Sequence, residues 1–263
     1  MAEVYGSQRR PRKRWGRRLL TTFIVLLILV GIVLVVADRF GASYAERVIG
    51  DRVATQVANE KATSEKPDVT IEGVPFLTQV LAGKYQEIKI GLRNFSGPAG
   101  DGKTIKMPLL DIRAKDVRAP LDTIRSGQGN IVATKVTGTG TVAYAQVAEL
   151  IGQKGLTLKE SGGKLIGAAP VQVIGQTFNV SGAANLTVKD GVVQVRFSDV
   201  TAEGLPNVPL VRNFIDSYVK QLAVDLKVPE LPLKLKLQKV EPTPAGLLVT
   251  FGANEVPLNT GGL

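Results

Sequence analysis

The alternation of apolar and polar positions divides the chain into three stretches with different periods. Leu19 to Ala37 is a run of 19 residues without a charge, closed by Asp38. As a helix it extends about 28 Å, close to the ~30 Å hydrocarbon core of a bilayer. Phe40 to Ala58 keeps a helical spacing of another kind: Ala45, Val48, Ile49, Val53 and Val57 recur at three- and four-residue steps, with Glu46, Arg47, Asp51, Arg52 and Gln56 off that stripe. Only Gly41 interrupts, so the two stretches predict one helix running straight on. Lys61 to Pro67 is polar and ends in proline, a linker signal.

From Asp68 the period becomes two. Ile88, Ile90 and Leu92 alternate with polar neighbours, as do Leu110, Ile112 and Ala114, and the segment Gly97 to Gly102 between them predicts a turn. Ile131 to Val142 reads as a long strand and Tyr144 to Ile151 as a short helical insert. Ser161-Gly162-Gly163 separates two further strands. Lys189-Asp190-Gly191 is the clearest hairpin signal, because Asp-Gly supplies the positive φ angles of a type I′ turn. Val193, Val195 and Phe197, then Leu233, Leu235 and Leu237, then Leu247, Val249 and Phe251 repeat the alternation.

Strands of this kind have one covered and one wet face, the mark of a twisted antiparallel sheet. Between Pro209 and Val228, residues Leu210, Val211, Phe214, Ile215, Tyr218, Val219, Leu222 and Leu226 hold a helical stripe able to cover that face; Asn207 can cap its start and Pro229 stops it. The expectation is an α+β fold: an N-terminal transmembrane helix followed by a curved antiparallel sheet wrapping a long amphipathic helix.

Charge changes the picture by its distribution. The 263 residues carry 33 Lys+Arg against 23 Asp+Glu, a net +10 that invites a nucleic-acid reading. Seven basic residues fall between Arg9 and Arg18, however, so residues 1–37, with Glu3, hold +6 and residues 38–263 only +4. Basic residues beside a first membrane segment stay in the cytoplasm, and an interfacial Trp15 fits the same boundary. The chain therefore divides into a basic cytoplasmic stub (1–18), a transmembrane anchor (19–37) and an extracytoplasmic domain (38–263), single-pass in the cell membrane. A cleaved signal peptide is the competing reading, but its apolar region is ordinarily ~7–15 residues with a small-x-small site after it; here Asp38-Arg39-Phe40 follows. Nucleic-acid binding needs basic residues among stacking aromatics on the folded part, and aromatics make up only 5% of the chain.

The residues that carry chemistry are scarce. There is no Cys and no His, which removes disulfides, thiolate nucleophiles, Ser-His-Asp triads and the usual zinc, haem and iron–sulfur ligands. Gly162-Gly163-Lys164 is followed by Leu165, where a P-loop needs a hydroxyl. Asp111 and Asp116, five apart on one strand, are expected on opposite faces and solvated. No calcium-loop spacing occurs. The reading is of a protein without catalytic residues, metal or cofactor. Lys234 and Lys236 share a strand face, either protecting a sheet edge or meeting an anionic headgroup.

One segment departs from ordinary loop chemistry. DVTIEGVPFLTQVLAG, Asp68 to Gly83, places Val74, Pro75, Phe76 and Leu77 together after a strand, where connections normally face water. Either this turn plugs the end of the core or it is an apolar lip that touches lipid. Its element Gly73-Val74-Pro75-Phe76-Leu77-Thr78-Gln79, with Gly83 beyond, resembles the signature of the LmeA family of actinobacterial envelope proteins, with Val74 at a position where that family is expected to hold an aromatic. Tyr144 opening a short helix, Val173-Ile174-Gly175-Gln176 in a strand, and the runs Leu231-Pro232-Leu233 and Gly246-Leu247-Leu248-Val249 agree with it, over roughly residues 40–258. The resemblance implies phospholipid binding, phosphatidylinositol-type lipids among them, a role in lipoglycan or cell-envelope assembly, and a fold like the tubular lipid-binding domains. On this reading the tails lie between the 209–228 helix (Phe214, Ile215, Tyr218, Leu222) and the sheet, with Val74, Pro75, Phe76 and Leu77 near the mouth. The alternative is a non-enzymatic envelope scaffold with a filled core, working through protein partners.

Overall fold

The computed structural model describes residues 15–98, 102–126, 129–173, 176–189, 192–202, 224–227 and 235–258. The two predicted helical stretches are one helix, α1 (Trp15–Asn59). Thr21 and Thr22 are accommodated by hydroxyls that donate to carbonyls one turn back, at 2.9–3.0 Å. From Leu19 to Val36 its large apolar side chains are exposed on every side, each by 48–66%. A helix apolar all round is stable only inside a protein or a bilayer, and this one is a candidate single-pass span. Beyond it the helix becomes one-sided. Ala42, Gly50 and Val53 are buried, with Ala45, Ile49 and Val57 packed beside them, as the stripe predicted.

The remaining elements follow in the order β1 (Asp68–Glu72), α2 (Phe76–Ala82), β2 (Lys84–Pro98), β3 (Thr104–Arg118), α3 (Leu121–Ser126), β4 (Val132–Val142), α4 (Tyr144–Ile151), β5 (Thr157–Ser161), β6 (Lys164–Val173), β7 (Gln176–Lys189), β8 (Val192–Ala202), β9 (Val224–Lys227), β10 (Lys236–Thr243) and β11 (Gly246–Pro257). They form two antiparallel sheets, ordered β1-β2-β3-β4-β11-β10 and β5-β6-β7-β8-β9. The chain is thus α+β, with a long N-terminal apolar helix and open sheets not closed into a barrel. Lys189 pairs with Val192 across the predicted Asp-Gly hairpin.

Three local expectations are corrected. Residues 224–227, taken as the last turn of a helix, are strand β9, paired with Val192–Val195 of β8. Four residues alternating Val, Asp, Leu, Lys fit either period, and the sheet edge decides between them. Residues 203–223, with Phe214, Ile215, Tyr218 and Leu222, lie outside the described residues. Val173 and Gln176, expected within one strand, end β6 and begin β7 and pair with each other. Asp111 and Asp116 do not lie on opposite faces, because alternation slips between them. Gln86, Asp116, Thr134 and Glu255 stand in one transverse row of the first sheet, each skipped by the pairing while the register continues on both sides. Asp116 and Glu255 adopt φ of 50° and 48°. A left-handed residue within a strand reverses the alternation, so Ala114 and Val117 are both buried while Lys115 and Asp116 are both exposed.

Two apolar clusters fill the fold. In one, the C-terminal half of α1 and Phe76 of α2 cover Ile88, Ile90, Leu92, Val117 and Val136 of the first sheet. In the other, Leu237, Leu247, Val249 and Phe251 of the first sheet meet Leu165, Ala184, Val193 and Val195 of the second, with Val147 and Ala148 of α4 at the side. The helix that covers the first sheet is therefore α1. Leu165 is 1% exposed at the junction of the sheets. Leu165→Ala should cost about 2–5 kcal/mol, read as a lowered thermal midpoint.

Candidate functional site

The segment that departed from loop chemistry sits where α1 changes from apolar to one-sided. Asp38, the first charge after the apolar run, is buried, and its Oδ1 accepts the backbone N–H of Leu77 at 2.8 Å. Leu77 is the second residue of α2, whose N-cap residue Pro75 provides no side-chain cap. A carboxylate 39 positions away thus satisfies a free helix donor and faces the positive end of that helix. One turn further on, Gly41 faces the ring of Phe76, and Glu46 accepts the N–H of Ile71 at 2.9 Å.

The loop is held from its other side by Gln79, which is buried. Its Nε2 donates to the carbonyls of Glu72 and Gly73 at 3.2 and 2.9 Å, and its Oε1 accepts the N–H of Gln86 at 3.0 Å. Gly73 has φ 97°, and the Thr78 hydroxyl donates to the Pro75 carbonyl at 2.8 Å. Gly83 ends α2 at φ 62°, returning N–H bonds to Gln79 and Val80, and a Cβ there would stand 2.9 Å from the Pro120 Cα. Gly83→Ala combines a left-handed residue with a backbone collision. It should lower stability by about 1–3 kcal/mol, measurable by denaturant unfolding of the two proteins side by side.

Of the four apolar residues singled out here, Val74 and Pro75 are exposed, Leu77 is half-buried and Phe76 is buried, its ring 6.2 Å from that of Tyr85. Burial pushes the Tyr85 phenol above its ordinary 10.0. The neutral phenol is favoured in the folded protein, so stability should be intact below pH 10 and decline as pH rises from there through the folded value. Tyr85→Phe should flatten that decline in an alkaline titration of unfolding.

Other exposed apolar residues stand nearby that sequence reasoning missed. Leu81 is 80% exposed, and Leu121 and Ile124 of α3 are open as well. Leu81, Ala82 and Gly83 face Pro120, Leu121 and Asp122 across an open cleft of about 760 Å³. The sequence signal for Leu81 was Gly83, which marks the end of a short helix 76–82 where only a turn was expected. Lys236 is exposed at the start of β10, the outer edge of the first sheet, level with Arg113 and Lys89 in mid-sheet. Lys234 and the 209–222 stripe lie outside the described residues.

Loop, capping carboxylate and both sheets belong to one matched region: residues 36–252 correspond to the LmeA-like phospholipid-binding family. The chain belongs to that family. No match is found among curated proteins or among solved structures. The LmeA match begins just before Asp38 and ends in β11. It therefore takes in the Gly73–Gln79 element and its tether on α1, while most of the apolar run precedes it. In this LmeA-family chain the Gln79, Thr78 and Gly83 of the element fix its shape, and Val74 and Pro75 are its outward surface.

Proposed function

We propose that this protein is held in the cytoplasmic membrane by residues 19–37 and binds phospholipid on the extracytoplasmic side, passing it between membranes or to envelope-assembly enzymes without altering it. The observation that carries this reading is family membership across 36–252. Three features support it. The helix 19–36 is exposed and apolar around its whole circumference. The basic run Arg9–Arg18 favours a cytoplasmic N-terminus. The apolar clusters of the two sheets adjoin, with Phe95 and Leu110 packed at the margins of both.

The tails would lie against the sheet surface beyond the part that α1 covers, under the stripe Phe214, Ile215, Tyr218 and Leu222. Lys234 and Lys236 would meet the headgroup phosphate at the open sheet edge. The lipid proposed is of phosphatidylinositol type, the pathway lipoglycan assembly, and the mode of action binding rather than catalysis. The test is transfer of labelled phosphatidylinositol from donor to acceptor vesicles by the full chain. Accelerated transfer with the lipid recovered at unchanged mass supports the reading. Absence of transfer, with folded protein in the donor membrane, favours instead an envelope scaffold; close packing at Val117, Ala133 and Val136, all 0–1% exposed, is the observation on that side.

A further inference from the structure

From the position of α2 and α3 we infer that this end of the domain is itself a membrane-docking surface, with Val74, Leu81, Leu121 and Ile124 set into the headgroup layer of the bilayer that α1 crosses. The inference rests on the reading of 19–37 as a membrane span and adds what the domain does beside it. The apolar run ends at Ala37, and Asp38 bonds the first turn of α2 directly. Gly41 then packs on Phe76 and Leu77. At ~1.5 Å per residue, α2 is therefore level with the first ~6 Å of helix beyond the run. The polar layer of a leaflet is about 5–8 Å deep, so α2 falls within it.

α3 is tied to the same level. Ala119 donates its N–H to the Gly83 carbonyl at 2.9 Å, and Pro120 lies against Gly83. The first sheet runs away from this end: β2 and β3, 15 residues each, begin and finish here at Lys84 and Arg118, while α1 runs alongside β1 and the chain just past its end at Asn59 reaches the Thr63–Ser96 bridge near the far end. The second sheet joins farther out: Leu237 and Phe251, which meet it, stand in one row with Gly138, Ile112 and Ile90, about 20 Å beyond Lys84 at ~3.3 Å per residue. Exposed Val74, Leu81, Leu121 and Ile124 are thus gathered on the one end that faces the bilayer. Apolar side chains on short helices at that depth are the means by which a monotopic surface enters the headgroup boundary. A lipid leaving the membrane would then meet an apolar surface before meeting water.

The chain has no Cys, so a single introduced thiol can be labelled. The full chain, reconstituted in phosphatidylcholine–phosphatidylglycerol vesicles, would carry an environment-sensitive fluorophore at Leu81→Cys, Ile124→Cys, Val30→Cys or Lys159→Cys. The last replaces an exposed residue of β5. Docking predicts blue-shifted emission and loss of fluorescence to shallow nitroxide-labelled lipid at positions 81 and 124, the same with lipid labelled deep in its acyl chain at 30, and neither effect at 159. Position 30 quenched with 81 and 124 wet overturns the docking and leaves the anchor standing. Position 30 unquenched overturns the anchor, and the docking with it. Leu81→Asp with Ile124→Asp changes only exposed residues and so should leave the fold intact. This pair should lose blue-shifted emission from a label at Val74→Cys; an unchanged label there also contradicts docking.

Discussion

Replacing Gln79 by Leu is expected to lower stability by about 3 kcal/mol or more, although the volume hardly changes. The amide serves two carbonyls, Glu72 and Gly73, and one N–H, Gln86, at a position 7% exposed. A leucine leaves all three backbone groups without that partner, and each such group costs about 1–3 kcal/mol when buried. For a domain of this size, the fall in melting temperature should be about 6–12 °C. Hydrogen exchange locates the effect: the Gln86 amide should lose protection while those of the second sheet keep theirs. A variant within about 0.5 kcal/mol of the parent, the range of ordinary surface changes, would show that the loop is held by something other than this side chain.

The second large effect concerns uptake rather than folding. Two acyl chains of about 30 carbons carry on the order of 20 kcal/mol of transfer free energy at ~0.8 kcal/mol per methylene. A protein that removes such a lipid from a bilayer must offer apolar contact along nearly all of it. A charge set into the contact surface subtracts several kcal/mol. Phe214→Asp, in the stripe Leu210 to Leu222, should therefore abolish uptake of labelled phospholipid from vesicles while circular dichroism stays that of the parent. Undiminished uptake by a folded Phe214→Asp protein would move the tail site away from that stripe.

How far the sequence predicts this structure follows from which physical signals are local. The apolar run, the stripe from Ala45 to Val57 and the strand alternation are local. Each reappears, with Gly41 passing inside one helix as expected. What covers the first sheet is not local: α1 and the 209–228 segment both carry suitable stripes, and only the packing of Ala42, Ile49 and Val53 shows that α1 lies there. The row Gln86–Asp116–Thr134–Glu255 was hidden for another reason. A left-handed Asp or Glu leaves no compositional trace where glycine would, and so Asp116 was placed on the wrong face.

The motif itself was legible as a unit but not in its parts. Four consecutive apolar residues read as one turn, either a plug of the core or a lip. A helix starting at Phe76 turns successive side chains by about 100°, so Phe76 enters the core while Leu81, five positions on, emerges. Its tether, Asp38, looked like the residue that merely stops an apolar run. A carboxylate bond across 39 positions is visible only in the fold.

The claim on which the rest depends is that this LmeA-family protein holds phospholipid. Native mass spectrometry of the full chain, extracted in mild detergent from the membrane in which it was made, measures that directly. The account predicts a bound species at protein-plus-phospholipid mass, with a phosphatidylinositol headgroup on fragmentation, and loss of that species in Phe214→Asp. A spectrum of folded protein with no retained lipid, unchanged after incubation with phosphatidylinositol vesicles, would contradict it.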